Sequence, residues 1–98
     1  YSSYGGLVGG TYNLVSGPYA SVLGGTYNEA TNTTAVVVSG YSNVASGHRS
    51  AVVGGWYNDA TGSYAAVLGG YYNDASGSYS TVSGGSYNTA SSAYSTAP

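Results

Sequence analysis

The sequence predicts an all-β fold, a parallel solenoid wound in coils of 15 residues with two short strands per coil. Three observations carry this. Asparagine recurs at 13, 28, 43, 58, 73 and 88, always at the same interval. Glycine keeps the same register at 10, 25, 40, 55, 70 and 85, with a second glycine just before it at 9, 24, 54, 69 and 84. Valine sits at 22, 37, 52, 67 and 82, and alanine at 30, 45, 60, 75 and 90. A period this short excludes helix-turn-helix and leucine-rich repeats, and it matches one turn of a β-solenoid.

One unit reads A-[ST]-G-x-Y-[AS]-x-V-x-G-G-x-Y-N-x. The first expected strand surrounds the valine, as in Ser80-Thr81-Val82-Ser83 or Ala65-Ala66-Val67-Leu68. The Gly-Gly pair after it supplies free φ for a tight turn. A second strand is expected over Tyr-Asn-x-Ala, as in Tyr72-Asn73-Asp74-Ala75, and the Ser-Gly or Thr-Gly pair then turns the chain back. Frequent glycine and β-branched or aromatic strand positions disfavour helix throughout.

Stacked coils pair in parallel at about 4.8 Å, so equivalent residues fall into vertical files. Val22, Val37, Val52, Val67 and Val82 are the expected core, with Leu7 in the matching slot upstream. The alanine file shares that core. Asn13, Asn28, Asn43, Asn58, Asn73 and Asn88 are expected to form a ladder of side-chain amides that bond to one another or cap a turn.

Such a core is thin beside the conformational entropy a glycine-rich chain loses on folding. Alternation turns Leu23, Val38, Val53 and Leu68 away from the valines, with Ser21, Val36, Ala51 and Ala66 on the other flank. An apolar stripe along a solenoid marks an interface, and self-association is the simplest partner.

Composition bounds function. The charged residues are Glu29, Arg49, Asp59 and Asp74, and cysteine is absent. A single arginine and no lysine argue against nucleic acid as a partner. No apolar run approaches a membrane span, so membrane contact by this segment is not expected. No disulfide framework or thiolate metal site is possible, which is compatible with an extracellular protein. The chain is read as one repeat domain, residues 1–98, cut from something longer.

The units A-T-G-S-Y-A-A-V-L-G-G-Y-Y-N-D (60–74) and A-S-G-S-Y-S-T-V-S-G-G-S-Y-N-T (75–89) resemble the head repeats of trimeric autotransporter adhesins of the YadA type. Similar repeats occur in phage and virus fibre proteins. The family pattern is one residue shorter per coil. This chain adds a second glycine at the turn and carries asparagine where the family often has alanine. The resemblance covers essentially the whole chain. It implies a left-handed β-roll, a side-by-side homotrimer, and a rigid head on a cell surface or virion fibre that contacts glycans, matrix or a host surface protein. It implies no catalytic residues and no cofactor, so an enzyme is not expected.

Candidate sites follow from the exceptions to the repeat. Tyrosine fills one file at 12, 27, 57, 72 and 87 and another at 19, 64, 79 and 94. These long files are read as stiffening ladders. Tyr41, Trp56 and Tyr71 form a shorter patch and are the candidate ligand-binding residues, with aromatic faces suited to sugars or a protein. Asp59 and Asp74 share a file with Glu29. They are the candidate metal ligands, for calcium, against the alternative of a solvated acidic edge. His48 and Arg49 stand together without the partners a catalytic triad needs. The third unit is irregular: Asn32 and Ser39 replace glycine, Thr34 replaces tyrosine, and Asn32-Thr33-Thr34 is a formal glycosylation acceptor.

The leading expectation is a structural and adhesive fibre segment. Alternatives are an extracellular filament assembling end to end, and an ice-binding solenoid. The last is disfavoured because Ser and Thr are expected at turns and not in a flat array.

Overall fold

A computed structural model describes residues 7–97. Among these residues, thirteen two-residue strands follow one another. They are β1 (Leu7–Val8), β2 (Leu14–Val15), β3 (Ser21–Val22), β4 (Glu29–Ala30), β5 (Val36–Val37), β6 (Val44–Ala45), β7 (Ala51–Val52), β8 (Asp59–Ala60), β9 (Ala66–Val67), β10 (Asp74–Ala75), β11 (Thr81–Val82), β12 (Thr89–Ala90) and β13 (Thr96–Ala97). No helix occurs among the described residues. Odd strands form one seven-stranded sheet and even strands a six-stranded sheet, all pairs parallel and stacked in sequence order. This is a parallel β-solenoid with two strands per coil. The Cα envelope measures 32 × 21 × 11 Å, so the rod has a flattened cross-section.

Period-2 alternation builds the interior. Val22, Val37, Val52, Val67 and Val82 point inward from the odd sheet and are fully buried. Ala30, Ala45, Ala60 and Ala75 oppose them from the even sheet, with Val15 below. A further inward file, Ala20, Ala35, Ser50, Ala65 and Ser80, lies two residues before each valine. Only small side chains fit this depth, which is why the interior holds Val, Asn, Ser and Ala and, among the described residues, nothing larger.

The register corrects the sequence-based placement of Leu7. The odd sheet pairs Val8 with Val22 and Leu7 with Ser21, a separation of 14 in place of 15. Gly9 then donates to the Val22 carbonyl, the role Leu23 plays toward Val37 one coil later. The first described coil is therefore one residue short in its turn.

The second strand is also shorter than expected. Tyr72 and its equivalents are corner residues, not strand residues. Tyr12, Tyr27, Ser42, Tyr57, Tyr72 and Tyr87 all have φ between 53° and 57°. The second tyrosine file, including Thr34 and Arg49, lies between 56° and 62°. Each coil thus places two non-glycine residues in the left-handed region, at a cost of about 1–2 kcal/mol apiece.

Hydrogen bonding explains why. Strand residues donate to the next coil, as Ser21 N–H does to the Ala35 carbonyl at 2.9 Å. The left-handed corner reverses its peptide and donates to the preceding coil instead. Tyr64 N–H reaches the His48 carbonyl at 2.8 Å, and Tyr57 N–H reaches the Tyr41 carbonyl at 2.9 Å. The inverted corner keeps those N–H groups paired. At Gly17-Pro18-Tyr19-Ala20 the turn closes through Ala20 N–H to the Gly17 carbonyl at 3.1 Å, with proline where a fixed φ suits it.

The two glycines of each pair have different duties. Gly70 has φ +84°, and a Cβ there would strike the Gly85 carbonyl of the next coil. Gly69 has open space around it. Ser39 occupies the tolerant position, which explains how the third unit loses a glycine without losing the turn.

Candidate functional site

The chain offers two broad faces and two aromatic edges, and the predicted residues fall on one of these or inside the coil. The asparagine file lies inside. Asn28, Asn43, Asn58 and Asn73 are fully buried. Asn58 Nδ2 donates to the Gly54 carbonyl and to the Gly70 carbonyl of the next coil, both at 2.9 Å. Its Oδ1 accepts the Asn73 N–H at 3.0 Å. Each amide ties its own turn to the one above, and the pattern repeats at Asn28, Asn43 and Asn73.

The odd face carries the apolar file. Leu23, Val53 and Leu68 are 48, 42 and 49 % exposed, and Val38 is half-buried. Ser21, Val36, Ala51, Ala66 and Thr81 form the parallel outward file beside it. Among its described residues this face bears no charge.

The even face carries all three carboxylates, on outward positions of β4, β8 and β10. Asp59 and Asp74 are register partners. Both are half-buried. Burial first, then the charge of Asp74 and then that of Glu29, push the Asp59 carboxyl above the usual carboxylate range. One oxygen of Asp74, Oδ1, is buried without a hydrogen-bond partner. Among the described residues, no group of three or more His, Asp or Glu side chains is placed to hold a metal ion. A calcium site would need further oxygen ligands beyond this pair.

Beside the acidic file runs a second outward file: Ser16, Thr31, Ser46, Thr61 and Ser76. These residues were expected at turns. They instead extend the ladder, each donating its N–H to the alanine or equivalent of the next coil, as Thr61 does to the Ala75 carbonyl at 3.0 Å.

One edge is a continuous aromatic run. Tyr12 and Tyr27 stack at 5.2 Å, Tyr57 and Tyr72 at 5.0 Å, and Tyr72 and Tyr87 at 5.2 Å, each pair within 9° of parallel. Ser42 interrupts this file. Tyr41 fills the gap with edge-on contacts to Tyr27 at 5.8 Å and Tyr57 at 5.7 Å. Tyr41, Trp56 and Tyr71 themselves pair in parallel through isolated bridges one coil apart. Trp56 touches Tyr41 at 5.6 Å with the rings tilted by 48°, and Tyr71 packs edge-on against Tyr72 and Tyr87.

On the opposite edge, Tyr64, Tyr79 and Tyr94 stack at 4.8 and 5.0 Å. Arg49 stands in this file. Its Nη1 donates to the Tyr64 hydroxyl at 3.4 Å, and its guanidinium lies 5.8 Å from that ring. His48 meets Tyr64 edge-on at 5.9 Å. Asn32, the formal glycosylation acceptor, is half-buried and donates its amide to the Ser46 carbonyl at 3.0 Å.

Sequence reasoning missed the bridging role of Tyr41 and the outward hydroxyl file. The first had a signal: Tyr41 immediately precedes the one serine in a tyrosine file. The second follows from counting alternation onward from the buried alanine. No protein-family model matches the chain, and no curated protein matches it.

Proposed function

We propose that this chain is a non-enzymatic structural and adhesive module of a surface fibre, in which copies pack side by side through the odd face. One observation carries this reading. The odd face is flat, uncharged and lined by half-exposed Leu23, Val53 and Leu68, while every carboxylate lies on the other face. Apolar side chains arrayed at strand spacing need a partner with the same repeat, and a second copy of the chain has it. Association also offsets the thin core of each coil.

Resemblance to the YadA-type head repeats and to phage and virus fibres supports a homotrimer on a cell surface or virion. It also supports a role in presenting a stiff surface to host, matrix or glycan. Light scattering on the full chain tests the packing. A mass of three chains is expected, with Leu68→Asp and Val53→Asp giving folded species of lower mass. A wild-type monomer at high concentration would remove the proposal.

The ice-binding alternative draws support from the straight hydroxyl file on the even face. The adjoining Glu29, Asp59 and Asp74 break the regular array that such a surface requires. Thermal hysteresis separates the two readings.

A further inference from the structure

We infer that the file of Tyr41, Trp56 and Tyr71 is a stacking platform for a neutral polysaccharide chain. This deepens the fibre reading by naming what the rod holds, and it is tested apart from how copies pack.

Stacking on a sugar requires an aromatic face that nothing else covers. The long tyrosine files do not offer one along their interior. Tyr72 has Tyr57 against one face and Tyr87 against the other, both near parallel. These rings present edges and hydroxyls outward. Trp56 is different. Among the described residues it makes a single ring contact, tilted, with Tyr41, and it is 60 % exposed. The largest apolar side chain of the protein therefore stands in water beside a row of rings that cover one another.

The platform has direction and length. Tyr41, Trp56 and Tyr71 pair in register along the rod axis, so the file spans two strand spacings, about 10 Å. That is close to the length of two linked pyranose rings. The CH-bearing face of a pyranose is apolar and flat, and it displaces water from an indole face as another ring would. The backbone beneath is held by parallel bridges, so little ordering cost is added on binding.

Charge selects among glycans. Asp59 and Asp74 each lie three residues beyond Trp56 and Tyr71 in the same coils, on the adjoining face. The cationic Arg49 lies on the opposite edge, against Tyr64. A uronate or sulfated chain would meet like charge and no cation, so the platform fits an uncharged chain of hexose or N-acetylhexosamine units.

Trp56 is the one tryptophan of the chain, so its fluorescence reports the site directly. The full chain is titrated with cellohexaose, mannohexaose, chitohexaose and, as the charged control, an oligogalacturonate. At least one neutral hexasaccharide is expected to shift the emission saturably and to protect it from acrylamide, with the oligogalacturonate inert. Trp56→Ala and Tyr71→Ala, each shown to be folded by circular dichroism and of unchanged mass, are expected to weaken binding at least tenfold by calorimetry. No response to any neutral hexasaccharide overturns the inference, and so does full binding by Trp56→Ala. Shielding of Trp56 on concentrating the protein without sugar would instead make the strip a contact between copies, and overturn it too. A monomeric mass in light scattering defeats the packing proposal and leaves this one standing.

Discussion

The asparagine file and the tyrosine files repeat with equal fidelity in space and could hardly differ more in what they hold. Asparagine occupies its position in every coil from 13 to 88 without exception. Tyrosine gives way to Ser42 on one edge and to Thr34 and Arg49 on the other, and the coil keeps its left-handed corner at all three. The difference is burial. A buried amide that donates twice and accepts once has no substitute of the same shape. A ring at an exposed corner contributes stacking, which a neighbour such as Tyr41 can partly supply. Periodicity alone does not separate the two roles.

The largest expected effect comes from the inside. Asn58→Ala removes the amide bonds to the Gly54 and Gly70 carbonyls, the latter keeping the Trp56 N–H, and leaves the buried Asn73 N–H without its acceptor. One buried N–H left unpaired and two part-buried bonds lost cost about 3 kcal/mol together, a large part of the stability of a small domain. Denaturant unfolding followed by circular dichroism should show a midpoint far below wild type. A change within a few tenths of a kcal/mol would mean that the buried amides hold the coils no better than the exposed rings do.

A smaller effect is expected at the edge. Tyr72→Ala removes two stacked contacts and one edge contact, worth about 1–2 kcal/mol in total. Tyr72→Gly loses the same contacts but relieves the left-handed φ of 56°, recovering about 1 kcal/mol. The glycine variant should therefore melt above the alanine variant. The reverse order would mean that the corner is not strained by its side chain.

The smallest effect is electrostatic and concerns the outward file of the even face. Burial and the neighbouring carboxylates raise the Asp59 pKa in the folded chain. Between the unfolded value, about 3.9, and the folded one, the native state holds more protons. Stability should therefore rise as pH falls through the folded pKa, levelling below the unfolded one. Asp59→Asn should raise the melting temperature at neutral pH and flatten that rise. An unchanged profile in the variant would assign the pH dependence to another group.

Much of this architecture was open to inspection in one dimension. A repeat of 15 with fixed Asn, Gly, Val and Ala positions admits stacking of like on like, and alternation around each valine assigns inside and outside. What the repeat leaves undetermined is any feature that depends on how a corner closes. The left-handed tyrosines and the one-residue slip that aligns Val8 with Val22 both depend on where N–H groups find carbonyls one coil away. Propensity would place tyrosine in a strand. Three-dimensional hydrogen bonding overrides it, because a buried unpaired peptide costs more than a strained φ.

The same division holds for the candidate site. Composition singled out Trp56 as the sole tryptophan, flanked at one coil's distance by Tyr41 and Tyr71. It took the folded packing to separate rings that cover one another from the ring that stays open, since stacking is a relation between coils. The order of residues thus determined the period, the core and the file each side chain joins. The tertiary structure decided which way the corners turn and which surfaces remain free, because both rest on contacts between residues 15 apart.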